Sequence, residues 1–155
     1  MFTDLAVKVG LTLPELSEAT REFILEKITE VNTSATNPVD LGALGFDYNV
    51  IAHTMKAMDR DGNIDVIVPY FAIGMVPITN VEVLVQTIVK AVEIMDKPVI
   101  PIITKFIEDD IRFEETRISL FSMFREAGLP VFGSMRDCIY AINSILQWKP
   151  TGFIS

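Results

Sequence analysis

The chain has 155 residues, half of them hydrophobic, which suits one globular domain with a sizeable core and leaves no room for a second. Thirteen basic residues against 21 acidic ones give a net charge of −8, which argues against a nucleic-acid partner because little here can release counterions from a phosphate backbone. The lone cysteine, Cys138, excludes an internal disulfide and fits a reducing compartment; no basic-then-apolar leader follows Met1, and the longest apolar run, 66–78, is too short and too broken by Pro69, Gly74 and Pro77 to span a membrane, so the expected location is the cytoplasm.

In chain order, residues 2–9 read as a short helix closed by Gly10, a residue that accepts the positive φ common just past a helix end. Ser17 is placed to cap a helix running to about Thr29, with Ala19, Phe23, Ile24 and Ile28 inward and Glu18, Arg21, Glu22 and Glu26 outward. Residues 33–45 read as a short strand and an exposed loop around Asn37-Pro-Val-Asp-Leu-Gly. Asp47 caps the next helix, to about Met58, with Val50, Ile51 and Met55 inward and Asn49, His53, Lys56 and Arg60 on the wet side.

Asp59-Arg-Asp-Gly-Asn is a turn that delivers the stretch 65–79, around which the chain is organised. Val66, Ile67 and Val68 are consecutive β-branched residues, as expected for a central strand covered on both faces. Thr79 or Asn80 caps a helix to about Met95, with Val81, Leu84, Val85, Ile88, Val92 and Met95 at helical spacing. A second buried strand, Val99-Ile-Pro-Ile-Ile, leads to a helix over 111–127 ended by Gly128, and Leu129-Pro-Val-Phe makes a last strand. Ser134 caps the final helix, with Asp137 answering it and Cys138, Ile142, Ile145 and Leu146 facing inward until Pro150 stops it. The resulting order β-α-β-α-β-α-β-α implies a flavodoxin-like three-layer sandwich with a parallel sheet.

Few residues carry chemistry. Asp59-Arg-Asp-Gly-Asn-Ile-Asp begins like a calcium loop, but Ile64 stands where the loop needs its glycine and Tyr70 where it needs the bidentate Glu, which favours a plain turn. The acidic residues Glu108, Asp109, Asp110, Glu114 and Glu115 read as solvated charges at the positive end of a helix rather than a metal site. His53 is the only histidine and reads as a surface residue; Cys138 reads as a buried, unreactive thiol. The dinucleotide and P-loop glycine patterns are absent. Ligands of open α/β sheets sit where the chain leaves the carboxyl ends of the strands. The candidate ligand- or interface-facing residues are therefore Gly74, Thr79 and Asn80, together with Asn37, Pro38 and Asp40, for which shaping a local turn is an equal alternative.

Several segments resemble one family: Gly10-Leu-Thr-Leu-Pro-Glu-Leu-Ser-Glu-Ala-Thr, Asn37-Pro-Val-Asp-Leu, Asp65-Val-Ile-Val, Lys97-Pro-Val, Glu114-Glu-Thr-Arg, Arg125-Glu-Ala-Gly-Leu-Pro-Val-Phe and Arg136-Asp-Cys-Ile-Tyr-Ala-Ile. Together, over nearly the whole chain, they are similar to the last flavodoxin-like domain of the NDP-forming acyl-CoA synthetases, the ADP-forming acetate-CoA ligases related to succinyl-CoA synthetase. The resemblance implies a domain of an enzyme that interconverts acid, CoA and ATP with acyl-CoA, ADP and phosphate through a travelling phosphohistidine. It also implies that the histidine, the Rossmann CoA-binding domain and the ATP-grasp domain with its magnesium lie elsewhere. Residues 1–155 would then form a single domain with no catalytic residue, metal or cofactor of its own, completed by partner domains or subunits. The family's first strand and its Gly-rich turn are missing here, as is the Gly-Gly pair expected near Thr104-Lys-Phe-Ile. A missing central strand predicts either self-association or a closed gap. The alternative reading is a non-catalytic binding or regulatory module of the same fold, similar to the synthetase-like portions fused to some protein acetyltransferases. A flavodoxin-type electron carrier is disfavoured because no Ser/Thr-rich phosphate loop follows a first strand.

Overall fold

Each long helix starts on a side chain that accepts a hydrogen bond from a first-turn backbone N–H. The computed structural model describes residues 2–28, 32–74, 80–106 and 110–148. After α1 (Phe2–Lys8), Ser17 caps α2 (Glu18–Leu25) by accepting from the Thr20 N–H at 3.2 Å. Asp47 caps α3 (Tyr48–Arg60) through the Asn49 and Val50 N–H groups, and Asn80 caps α4 (Val81–Val92) through the Val83 N–H at 3.0 Å. Asp110 begins α5 (Ile111–Glu126), and Ser134 begins α6 (Met135–Gln147) by accepting from the Asp137 N–H at 3.1 Å. These satisfy donors that a helix N-terminus would otherwise leave unpaired.

Two helices bury different residues from those expected. On α2 it is Thr20 and Ile24 that are buried, while Ala19 is exposed, because Thr20 turns toward the Ser17 and Asp61 side chains. On α6 Cys138, Ile139 and Ile142 are buried, but Ile145 and Leu146 are exposed.

The sheet is parallel. Its paired strands are β1 (Tyr70–Ile73) and β2 (Ile102–Lys105), with Tyr70 opposite Ile102 and Ile73 opposite Lys105. The strand expected at 66–68 is extended but joins the sheet only through the bridge from Ile67 to Val99. Pro69 explains the interruption. Its carbonyl accepts from the Ile102 N–H at 2.9 Å, whereas its nitrogen, placed on the same bonding row, has no hydrogen to donate. The strand expected at 99–103 is displaced toward 102–105 for the same reason, with Pro98 and Pro101 contributing carbonyls only. The last expected strand reduces to a bridge between Phe132 and Ile102. The first, around 33–40, lies outside the sheet: Ser34 and Asp40 exchange two backbone hydrogen bonds at 2.8 and 2.9 Å, which turns the chain back on itself, and a 3-10 turn follows over Gly42–Phe46.

Helices cover both faces, giving three layers. On one side Ile67, Phe71, Ile73, Val99 and Ile103 pack with Met55 of α3, Leu84 and Ile88 of α4, and Leu120 and Phe124 of α5. On the other, Val66, Val68, Ile100 and Ile102 pack with Cys138 and Ile142 of α6, against which α1 lies. This is the flavodoxin-like α/β arrangement expected from the alternating order. Among the described residues no helix is long and apolar enough to cross a membrane.

Candidate functional site

In a parallel pair, alternate residues bond to one neighbour and the residues between them face the other way. Ile67, Pro69 and Ile73 all turn their backbone hydrogen bonds to the β2 side, Pro69 as an acceptor only. Val66, Val68, Tyr70 and Ala72 consequently turn their N–H and C=O groups to the opposite edge, where no described backbone group meets them. A cavity of about 970 Å³ lies along that edge. Its wall includes Ile67 and Ile73 from one face of the sheet and Val68 and Ile102 from the other, so it occupies the sheet's own plane rather than a groove on one face. The gap inferred from the sequence is thus open, not closed.

Segment 10–14 and α6 bound the cavity on one side, and the turn 37–46 with α3 bounds it on the other. Asn37, Pro38 and Asp40 line it. The Asn37 amide donates to the Pro14 carbonyl at 3.0 Å, tying the two walls together, and the Asn37–Pro38 peptide is cis. The Asp40 carboxylate accepts from the Gly42 N–H at 2.9 Å, where Gly42 sits at φ +53° with only 3.0 Å between an added Cβ and the Asn32 carbonyl oxygen. Gly74, at φ +107°, ends β1 beyond the cavity wall, and Asn80 is engaged as the α4 cap. Thr79 lies outside the described residues. The structure therefore brings together the first three of the six expected residues.

Thr54 is the residue that the sequence reading missed. It is 6% exposed and lines the cavity, and its hydroxyl has no hydrogen-bond partner. A buried hydroxyl without a partner is costly and rare. Its signal was positional: Thr54 lies three residues after Ile51 and four after Val50, so a polar group interrupts the apolar stripe of α3. Among the described residues Asp40 and Asp65 are the only charged side chains in the wall, and no described Lys, Arg, His or Cys lines it. The wall can bind but carries no activated nucleophile.

The charged groups at the turn 59–63 are engaged in structure. Asp59 accepts from the Asp96 and Lys97 N–H groups at 3.0 and 2.9 Å, and Asp61, 2% exposed, accepts from the Ser17 and Asn63 N–H groups at 2.8 and 3.0 Å. Burial pushes the Asp61 carboxyl up, but those N–H groups and the Thr20 and Ser17 hydroxyls outweigh it and hold the group below its ordinary value. The Lys97 ammonium donates to the Met58, Asp59 and Asp61 carbonyls. The segment that began like a calcium loop is thus a turn. Among the described residues no cluster of His, Cys, Asp or Glu is arranged to hold a metal. Of the acidic segment, Glu108 and Asp109 lie outside the described residues; Asp110 caps α5, and Arg117 together with Lys105 holds Glu114 down to about 2.

His53 corrects an expectation. Far from standing on the wet face, it is half-buried, its Nε2 lies 2.7 Å from the Phe23 carbonyl oxygen, and its ring stacks on Phe23 at 4.3 Å. The packing of α2 on α3 covers that side of the helix. Cys138 is fully buried, as expected, and burial pushes its thiol up to about 11.

A parallel sheet layered by helices, open along one edge onto an apolar cavity, defines an α/β protein of flavodoxin-like class. The chain is similar to the crystal structure of PH0766 from Pyrococcus horikoshii OT3, with a TM-score of 0.73 and 21% identity, over 94% of this chain and 32% of that one. It spans about a third of that protein, and a likeness at this identity concerns the fold. No family model matches the sequence, and no curated protein does.

Proposed function

We propose that the chain is a domain of an ADP-forming acyl-CoA synthetase, contributing to the reaction in which acid, CoA and ATP become acyl-CoA, ADP and phosphate through a phosphohistidine carried on another domain. The observation that carries this reading is the position of Asn37-Pro-Val-Asp, one of the segments that carry the family resemblance, on the wall of the cavity beside β1. The flavodoxin-like fold supports it. The described residues of the wall offer hydrogen bonds and an apolar surface but no cationic group to hold phosphate, so CoA, nucleotide, magnesium and the travelling histidine are assigned to partner domains or subunits. Asn37, Pro38 and Asp40 then face a ligand or partner domain; for Gly74, Thr79 and Asn80 the same role rests on their place in the sequence after β1.

The test mixes acyl-CoA, ADP and phosphate with the chains encoded beside this one, with and without it. ATP formation that requires this chain supports the reading, and unchanged rates without it end it. The second reading, a non-catalytic module of the same fold, is compatible with a wall whose described residues are mostly apolar. It predicts unchanged synthesis in that assay.

A further inference from the structure

We propose that the cavity beside β1 is a receptor for one extended polypeptide segment, which enters the sheet as an additional strand paired to Val66, Val68, Tyr70 and Ala72. The cavity runs in the plane of the sheet, reaches residues of both faces, and is bordered by a row of backbone donors and acceptors with no described partner. Buried backbone groups are nearly always paired, so an occupant that fills the volume without supplying amides leaves the row unsatisfied. An acyl chain or other purely apolar ligand is such an occupant. A strand supplies alternate N–H and C=O groups at the required spacing.

Thr54 of α3 lies on the same wall, with a hydroxyl that is shut off from solvent and has no partner among the described residues. From Val66 to Ala72 the edge is about 20 Å long at the rise of a strand, which sets the segment at six or seven residues. Both faces of the slot are apolar, so the segment is rich in Val and Ile rather than alternating. Asp40 and Asp65 are the charged groups of the wall, which favours Lys or Arg at the segment's ends. A second copy's own β1 edge does not fit, because it arrives covered by helices on both faces, whereas the slot admits a single strand between 10–14 and 37–46. This inference does not depend on the ligase reading.

The test uses the full chain and the peptide acetyl-Lys-Val-Ile-Val-Ile-Ala-Lys-amide, with a control N-methylated at alternate residues along its pairing edge. Amide hydrogen exchange is followed by NMR. The peptide should slow exchange at Val66, Val68, Tyr70 and Ala72 by about tenfold or more and leave Phe71 and Ile73, already held by β2, unchanged. The melting temperature should rise with peptide concentration, and the N-methylated control should do neither. Ala72→Pro, which removes one edge donor and none of the bonds to β2, should melt near the parent and bind the peptide more weakly. Equal protection by the N-methylated peptide or by a fatty acid overturns the proposal. So does protection of the four amides without peptide, whether constant, meaning a closed edge, or rising with protein concentration, meaning self-association. Absence of any protection at saturating peptide also overturns it.

Discussion

The turn 59–63 and the cavity beside β1 lie at opposite extremes of polar satisfaction. In the turn, two carboxylates and one ammonium meet backbone groups from α2, from the end of α3 and from residues 96–97, and the Asn63 amide adds a bond to the Glu15 carbonyl at 3.1 Å. Along the cavity, a row of strand amides and the Thr54 hydroxyl face apolar surface without described partners. The difference separates two uses of polar residues. Those of the turn hold three segments in place and are complete; those of the cavity are complete only with something added.

The largest expected effect falls on the turn. Asp61→Ala strands the Ser17 and Asn63 N–H groups in a buried site and should lower stability by about 3 kcal/mol, measured by urea denaturation. The same variant has a pH signature. The Asp61 carboxyl sits below its ordinary value in the folded state, so its contribution is complete above the unfolded value near pH 4 and is lost as pH falls through the folded one. The gap between parent and variant should therefore narrow below about pH 4 and stay constant above pH 5; a gap that does not depend on pH would refute this role. Lys97→Met, which removes the donor to three carbonyls, should cost about 1–2 kcal/mol in the same titration.

On the cavity side the sign reverses. Thr54→Val keeps shape and β-branching while deleting a hydroxyl with no partner, so stability should hold or rise by up to about 1 kcal/mol. A clear loss would show that the hydroxyl is already satisfied and would erase the contrast. The smallest effect belongs to the half-buried surface cluster of Glu114 with Lys105 and Arg117. Glu114→Gln should shift the melting temperature less than any variant above, and the shift should vanish in high salt.

The helices were legible because their signals are local. Ser17, Asp47, Asn80 and Ser134 each cap where a short polar side chain precedes an apolar stripe. The strands were legible in position but not in extent: β-branched runs marked 66–68 and 99–103, while pairing was decided by which nitrogens along each edge belong to proline. His53 was misplaced and Thr20 passed over because their surroundings come from other elements: Phe23 of α2 for the histidine, Asp61 for the threonine. At the candidate site, Asn37, Pro38 and Asp40 stood out as turn chemistry. The open edge of β1 appeared only once the register with β2 was known, since the register decides which four residues face away.

The proline carbonyls carry a further consequence for assembly. Sliding the 98–105 segment by one position along β1 would bring Pro101 to where the Ile67 oxygen now receives the Ile100 hydrogen, at 2.9 Å, and a tertiary amide has nothing to give. The same slip would turn every inward side chain of that segment outward. Wrong alignments of these two stretches are thus penalised twice, by a lost bond and by an inverted surface, which narrows the search for the native pairing while the chain is still collapsing.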